Sequence, residues 1–193
     1  WRDLAVRECQ LDELWSFIQN KEASLESANW VYTLYGEVWV WIAFAPLWRL
    51  VLAFVVGRRT QANANRLLQR VAHVTTGEIP FFTSDQWAAY RTALLQVYGQ
   101  WEHPVRQGSR GRHPAPRRVP APDLLYAQVV KHRSRGRVVE VTTKVVFGDQ
   151  QSVATRLEAL PTSTTINTSF VERENLTLRQ HNRRLTRKTN AFS

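Results

Sequence analysis

The chain has 193 residues, enough for one domain with a substantial core, and its 44% hydrophobic and 22% charged content is that of an ordinary globular protein. Its 26 Lys and Arg against 16 Asp and Glu leave a net charge of +10, which points to a polyanionic partner, nucleic acid first and an anionic membrane second. The lone cysteine, Cys9, excludes an intrachain disulfide and a cysteine-based zinc site, and suits a reducing compartment.

The N-terminus carries no basic-then-apolar signal pattern. Opening at Trp1 and containing no Met, the chain reads as a piece of a longer protein. Residues 8–18 alternate, with Cys9, Leu11, Trp15 and Phe17 on one side and Gln10, Asp12, Leu14 and Ser16 on the other, so a strand is expected with Asp12 on its less apolar face. Residues 19–29 are polar and read as a loop. Residues 38–56 hold a single charge, Arg49, and are long enough for a transmembrane helix. Pro46 in the middle, Arg49 beside it and the β-branched and aromatic content on both sides favour two buried strands joined at Pro46–Arg49. In that reading Trp39, Trp41 and Trp48 are core residues rather than base-stacking platforms.

Thr60 is placed to cap a helix running to about Val74, with Leu67, Leu68 and Val71 as its apolar face. A short strand at 79–85 ends in Asp85, and a helix follows from Trp87 to Tyr98. Residues 99–123 hold five of the eight prolines and a dense set of arginines, which predicts a long basic loop without regular structure. Strands are expected at 124–133 and 136–148 around a Ser134–Gly136 turn, then a short helix at 151–160 that stops before Pro161.

From Ser169 to Lys188 there is neither Gly nor Pro, and a helix is predicted with Ser169 as N-cap and Glu172 as its capping-box partner. Val171, Leu178 and Leu185 form the stripe facing a core. Glu172, Leu176, Arg179, Arg183 and Thr186 share another, flanked by Arg173, Arg184 and Arg187. That face is either solvated, with Glu172 as a mere cap, or a carboxylate beside a phosphate-tracking row of arginines.

The element order of strand, strand, strand, helix, strand, helix, insertion and terminal helix matches a ribonuclease-H-like α/β fold. In such a fold a mixed sheet is flanked by helices, with the first strand central and the fourth beside it. The segments LDELWSFI (11–18), FFTSDQWAAY (81–90) and INTSFVERENLTLRQHNRRLTRKTNAFS (166–193) resemble the DDE transposases of the insertion-sequence-one type. The resemblance spans nearly the whole chain, taken as one catalytic domain over 1–193 with a basic loop and strand pair inserted at 99–148. It departs from the family at the apolar 45–49 turn, and the 19–37 segment and the basic loop look longer than in compact members. The family's usual N-terminal zinc-binding and helix-turn-helix region has no counterpart here.

The resemblance implies that Asp12, Asp85 and Glu172 form the catalytic triad and hold two Mg²⁺ (or Mn²⁺) ions, Asp12 bridging both. In-line displacement at phosphorus accumulates negative charge, and a metal pair stabilises both the attacking and the leaving oxygen. Mg²⁺ prefers oxygen donors, which suits three carboxylates without His or Cys. Glu13 is a minor alternative ligand, since it should face the opposite side of the strand. Arg173, Asn175, Arg179, Arg183, Arg184, Arg187 and Lys188 are the candidate DNA contacts, with Arg179 and Arg183 holding the backbone in register; His181 lies within reach too.

The expected partner is double-stranded DNA, mobile-element ends and target, with no membrane. A homodimer or larger assembly in a bacterial cytoplasm, associated with the nucleoid, is expected by analogy. The alternatives are a non-catalytic basic nucleic-acid-binding protein, an inactive transposase remnant, and a membrane protein anchored by 38–56.

Overall fold

The computed structural model describes residues 2–18, 36–106, 114–182 and 185. Strands β1 (Glu8–Ile18), β2 (Gly36–Ala45) and β3 (Leu50–Gly57) are followed by helix α1 (Gln61–Val74), strand β4 (Phe81–Asp85) and helix α2 (Ala88–Tyr98). Short strands β5 (Gly99–Glu102) and β6 (Arg117–Pro120) precede the longer β7 (Tyr126–Ser134) and β8 (Arg137–Phe147). Helices α3 (Gln150–Glu158) and α4 (Ser169–His181) complete the chain.

The main sheet runs in the order β3-β2-β1-β4-β7-β8. β1 pairs antiparallel with β2 and parallel with β4; β4 pairs parallel with β7, and β7 antiparallel with β8. The alternation in β1 divides the molecule into layers. Cys9 and Leu11 join Trp41, Ala43, Leu67, Leu68, Tyr90 and Leu94 in a core beneath α1 and α2. On the other face Phe81, Leu125 and Ala127 pack under Val153 of α3, while Ile42 and Phe44 pack under Val171 of α4. The protein is thus a mixed six-stranded sheet flanked by helices on both faces.

The apolar 38–56 stretch forms β2 and β3, joined by a turn at Pro46–Arg49 in which Arg49 N–H donates to the Pro46 carbonyl at 3.2 Å and Arg49 takes φ 49°. Among the described residues no helix is long and apolar enough to cross a membrane. Trp41 is fully buried and Trp39 packs on the core, but Trp48, expected inside, is 43% exposed because it sits at the tip of this turn. Thr60 caps α1 as expected, accepting from Asn63 N–H.

Within residues 99–123 the expected structureless loop is replaced at its ends by the β5–β6 ladder, pairing Gly99 with Pro120 and Glu102 with Arg117. The prolines do not prevent this: Pro120 lies at the ladder's end, where no donor is needed from it. Arg118 donates to the Gly99 carbonyl at 2.8 Å, and its guanidinium lies 4.9 Å from the centre of the exposed Trp101 ring. Gly99 is required where α2 runs directly into β5: a Cβ there would lie 2.2 Å from the Leu95 carbonyl oxygen and 2.9 Å from that of Val119. The β7–β8 connection is a tight turn with Arg135 at φ 48° and Gly136 at φ 79°, the positive-φ pair that a two-residue hairpin demands.

Helix α4 differs from expectation at both ends. Its N-cap is Thr168, one residue before Ser169, and its C-cap is Asn182, so the helix is shorter than the run free of Gly and Pro. Val171 is buried and Leu178 packs against the same cluster, as the stripe predicts. Leu185 lies in a turn beyond the helix, its N–H donating to the Asn182 carbonyl. Of the candidate DNA contacts, Arg183, Arg184, Arg187 and Lys188 lie outside the described residues, as does the 19–29 loop.

Candidate active site

The parallel ladder between β1 and β4 pairs Glu8 with Phe81 and continues to Leu11 with Ser84, so Asp12 and Asp85 come next on neighbouring strands. Strand neighbours lie about 5 Å apart, and both positions fall on the face covered by α3 and α4. β4 ends there while β7 continues. Asp85 pairs with Val129, which places Lys131, two residues further on the same face, just beyond the end of β4.

Helix α4 is docked over this point by Gln10, two residues before Asp12 on the same face. The buried Gln10 amide oxygen accepts from the backbone N–H groups of Phe170 and Val171, both at 3.1 Å, while its amide nitrogen donates to Glu8 and Asn167. Asn167 in turn accepts from the Ser169 N–H and hydroxyl. Of the two N–H groups that the expected Ser169–Glu172 capping box would have served, that of Ser169 goes to Asn167 and that of Glu172 to the Thr168 carbonyl. Glu172 is thereby freed. Its Oε1 accepts from Lys131 Nζ at 2.6 Å and from the Thr168 hydroxyl at 2.7 Å.

Lys131 Nζ also donates to Asp85 Oδ2 at 3.0 Å, and Thr168 reaches Asp85 Oδ1 at 3.3 Å. Asp85 and Glu172 are therefore no further apart than two hydrogen bonds through one ammonium. Burial pulls the Glu172 carboxyl upward, but hydrogen bonds from Lys131 and Thr168 and the lysine's charge outweigh it, leaving its pKa below the usual value. With Lys131 24% exposed and the two carboxylates more than 40%, each ion pair is worth no more than about 1 kcal/mol.

Asp12 stands on different terms. Its Oδ2 accepts from the Asn175 amide at 2.7 Å. Burial first, then the charges of Glu13, Asp85 and Glu172, push its pKa up to about 7, against a backbone hydrogen bond from Glu13 that lowers it. The Asn175 side chain is buried, and its Oδ1 has no hydrogen-bond partner. Among the described residues no three His, Cys, Asp or Glu side chains stand close enough together to hold one metal ion. The three predicted acids gather at one end of the β1–β4 ladder, but as two linked parts: Asp85 and Glu172 on Lys131, and Asp12 on Asn175.

In kind, these donors suit a hard divalent cation: three carboxylates whose mutual repulsion raises Asp12, and an unpartnered amide oxygen beside it. Glu13 is excluded from the group by the pleat. It points to the opposite face, where Arg59 binds its Oε2 at 3.2 Å while lying 4.6 Å from the Trp87 ring and 5.0 Å from Trp39. The candidate DNA contacts divide as well. Arg173 is exposed, but Asn175 is spent on Asp12, and Arg179 is turned inward, donating to the carbonyls of Trp15 and Leu185. His181 is exposed and bonded to the Thr177 carbonyl of its own helix.

Two participants were not singled out in the sequence. Lys131 had a signal: in the alternation Leu125, Ala127, Val129, Lys131, a lysine continues an apolar face. Gln10 likewise precedes Asp12 on the same side of a strand.

Residues 6–99 match the family model for the IS1 transposase. Over those residues the chain is similar to that family. Among curated proteins, the chain is similar to the insertion element iso-IS1n protein InsB of Shigella dysenteriae, 33% identical over 82 residues that make up 42% of this chain and 50% of that protein. The chain thus spans about half the length of that relative. No solved structure matches it. The family match includes Asp12 and Asp85, whereas Glu172, Lys131 and all of α4 lie beyond it.

Proposed function

We propose that this chain is a transposase catalytic domain of ribonuclease-H-like fold that cuts DNA and transfers the freed strand by metal-dependent in-line phosphoryl transfer. One observation carries the reading. Asp12 and Asp85 directly follow the last register pair of a parallel strand pair, and a helix from the far end of the chain brings Glu172 to the lysine that also holds Asp85. The strand order, with β1 central and β4 parallel to it, supports the fold.

In this reading Asp12, Asp85 and Glu172 hold two Mg²⁺ or Mn²⁺ ions, which when bound activate the attacking oxygen and stabilise the leaving one. Asn175 orients Asp12 from α4, and the Thr168 hydroxyl orients Glu172. Arg173 at the surface, with Arg183, Arg184, Arg187 and Lys188 further along the chain, tracks the phosphate backbone, while Arg179 keeps α4 tied to the end of β1. The substrate is double-stranded DNA. The working form is a homodimer or larger assembly in the bacterial cytoplasm, at the nucleoid.

Asp85→Asn is the decisive variant: Mg²⁺-dependent nicking of a DNA duplex falls by at least about a hundredfold if the carboxylate is a ligand. Cleavage that persists in this variant rules the mechanism out. A second reading, a basic DNA-binding protein without catalysis, is favoured by the absence of a closed three-carboxylate group among the described residues. It predicts DNA binding with no Mn²⁺ uptake in either wild type or Asp85→Asn.

A further inference from the structure

We propose that Lys131 is a built-in counter-ion that occupies the cation position between Asp85 and Glu172, so that a divalent metal enters only by displacing its ammonium, and that a DNA phosphate favours this by receiving it. The inference rests on the catalytic reading given above and adds a coupling between metal and DNA binding to it.

The geometry is specific to this side chain. Lys131 Nζ donates to Asp85 Oδ2 at 3.0 Å and to Glu172 Oε1 at 2.6 Å, bridging a strand end and a helix. The Thr168 hydroxyl lies 2.7 Å from Glu172 Oε1 and 3.3 Å from Asp85 Oδ1, and its single proton serves one carboxylate at a time, so the ammonium is the group that donates to both. The position is built in by topology. β7 outlasts β4, and the residue that overhangs Asp85 on this face is Lys131. Beyond it on the same hairpin lie Arg133, Arg135 and Arg137, exposed cations that bring a phosphate backbone near.

The consequence is reciprocal. Without DNA, the lysine competes with metal for the same oxygens, which keeps the site weakly loaded. With DNA, a phosphate offers the ammonium another anion and the carboxylates are released. By linkage, metal must then strengthen DNA binding by the same factor, and couplings of this kind run from about 5-fold to 150-fold.

The test measures Mn²⁺ binding by titration calorimetry, with and without a short non-specific duplex, in wild type, Lys131→Gln and Lys131→Arg. The proposal expects Lys131→Gln without DNA to bind Mn²⁺ about tenfold more tightly than wild type, with the enhancement by DNA largely lost. Lys131→Arg, which keeps the charge, should stay close to wild type. Lys131→Gln should also melt lower than wild type without metal, from unrelieved repulsion between Asp85 and Glu172, and recover on adding Mn²⁺. That rescue separates a competing cation from a structural prop. Equal Mn²⁺ affinity in wild type and Lys131→Gln, with uptake still abolished by Asp85→Asn, overturns this inference and leaves the catalytic reading standing. No Mn²⁺ uptake by any variant, with or without DNA, overturns both.

Discussion

At the scale of single residues, the site is governed by how its acids are solvated. Asp12 carries a cost, because burial and three neighbouring carboxylates raise its pKa from an ordinary Asp value to about 7. The sign follows from linkage. Below about pH 4 both folded and unfolded chains hold the proton; between about pH 4 and pH 7 only the folded chain does, so stability falls as pH rises through that window. Asp12→Asn should therefore stabilise the metal-free protein at pH 8 by about 1–3 kcal/mol and leave it nearly unchanged at pH 4. Thermal melts across that range check this, and a variant less stable than wild type at pH 8 refutes it. The exposed ion pairs of Lys131 behave oppositely: each contributes little to stability because water screens it.

Among elements, the decisive contact is β1 with α4. The sequence suggests a self-capped helix, yet the acceptors for its first donors come mainly from Gln10 on the strand and Asn167 before it. Gln10→Leu would leave two buried N–H groups without a partner, at about 1–3 kcal/mol in all. The expected result is a lower urea midpoint together with faster amide exchange at Phe170 and Val171, while α1 and α2 keep their protection. Uniform loss of protection across the molecule would show that Gln10 supports the fold as a whole rather than the seat of this helix. Gly99 is the corresponding joint on the other side. Gly99→Ala drives a Cβ into the carbonyls of Leu95 and Val119, and should loosen the β5–β6 ladder while the main sheet remains intact. Trp101 fluorescence, reporting the Arg118 contact, reads that change.

Over the whole molecule, charge sets the partner. The net charge of +10 is unevenly placed, and Arg117, paired with Glu102, and Arg118 stand on the β5–β6 ladder. If this ladder grips DNA flanking the cut, replacing both arginines with Gln lowers the salt dependence of duplex binding by roughly two in log–log slope. Mn²⁺ binding at the carboxylates should not change. An unaltered slope would mean that the ladder does not touch the phosphates. Such contacts add affinity without sequence preference, so the loss should be the same for unrelated duplexes.

The sequence by itself determined what is local or periodic. Alternation in residues 8–18 put Asp12 and Glu13 on opposite faces, and the structure gives them separate partners, Asn175 and Arg59. Pro46 and Arg49 divided an apolar run into β2 and β3, and Thr60 marked the start of α1. The two aspartates and the glutamate, weak signals one by one, stood out as candidates only through the element order and the resemblance of their segments to a known family. What only the tertiary structure decided depends on partners distant in the chain. Ser169 met every local rule for a cap, but Asn167 took its N–H, and Gln10, some 160 residues away, took those of Phe170 and Val171. Arg179 had the spacing of an outward-facing cation, yet the Trp15 carbonyl drew it inward. The β5–β6 ladder escaped notice because proline content describes a segment, whereas pairing depends on which few residues must donate. Lys131 became part of the site only when β7 was laid beside β4 and ran past its end. Side-chain period is written along one strand, but the overhang between two strands is fixed only when the sheet assembles.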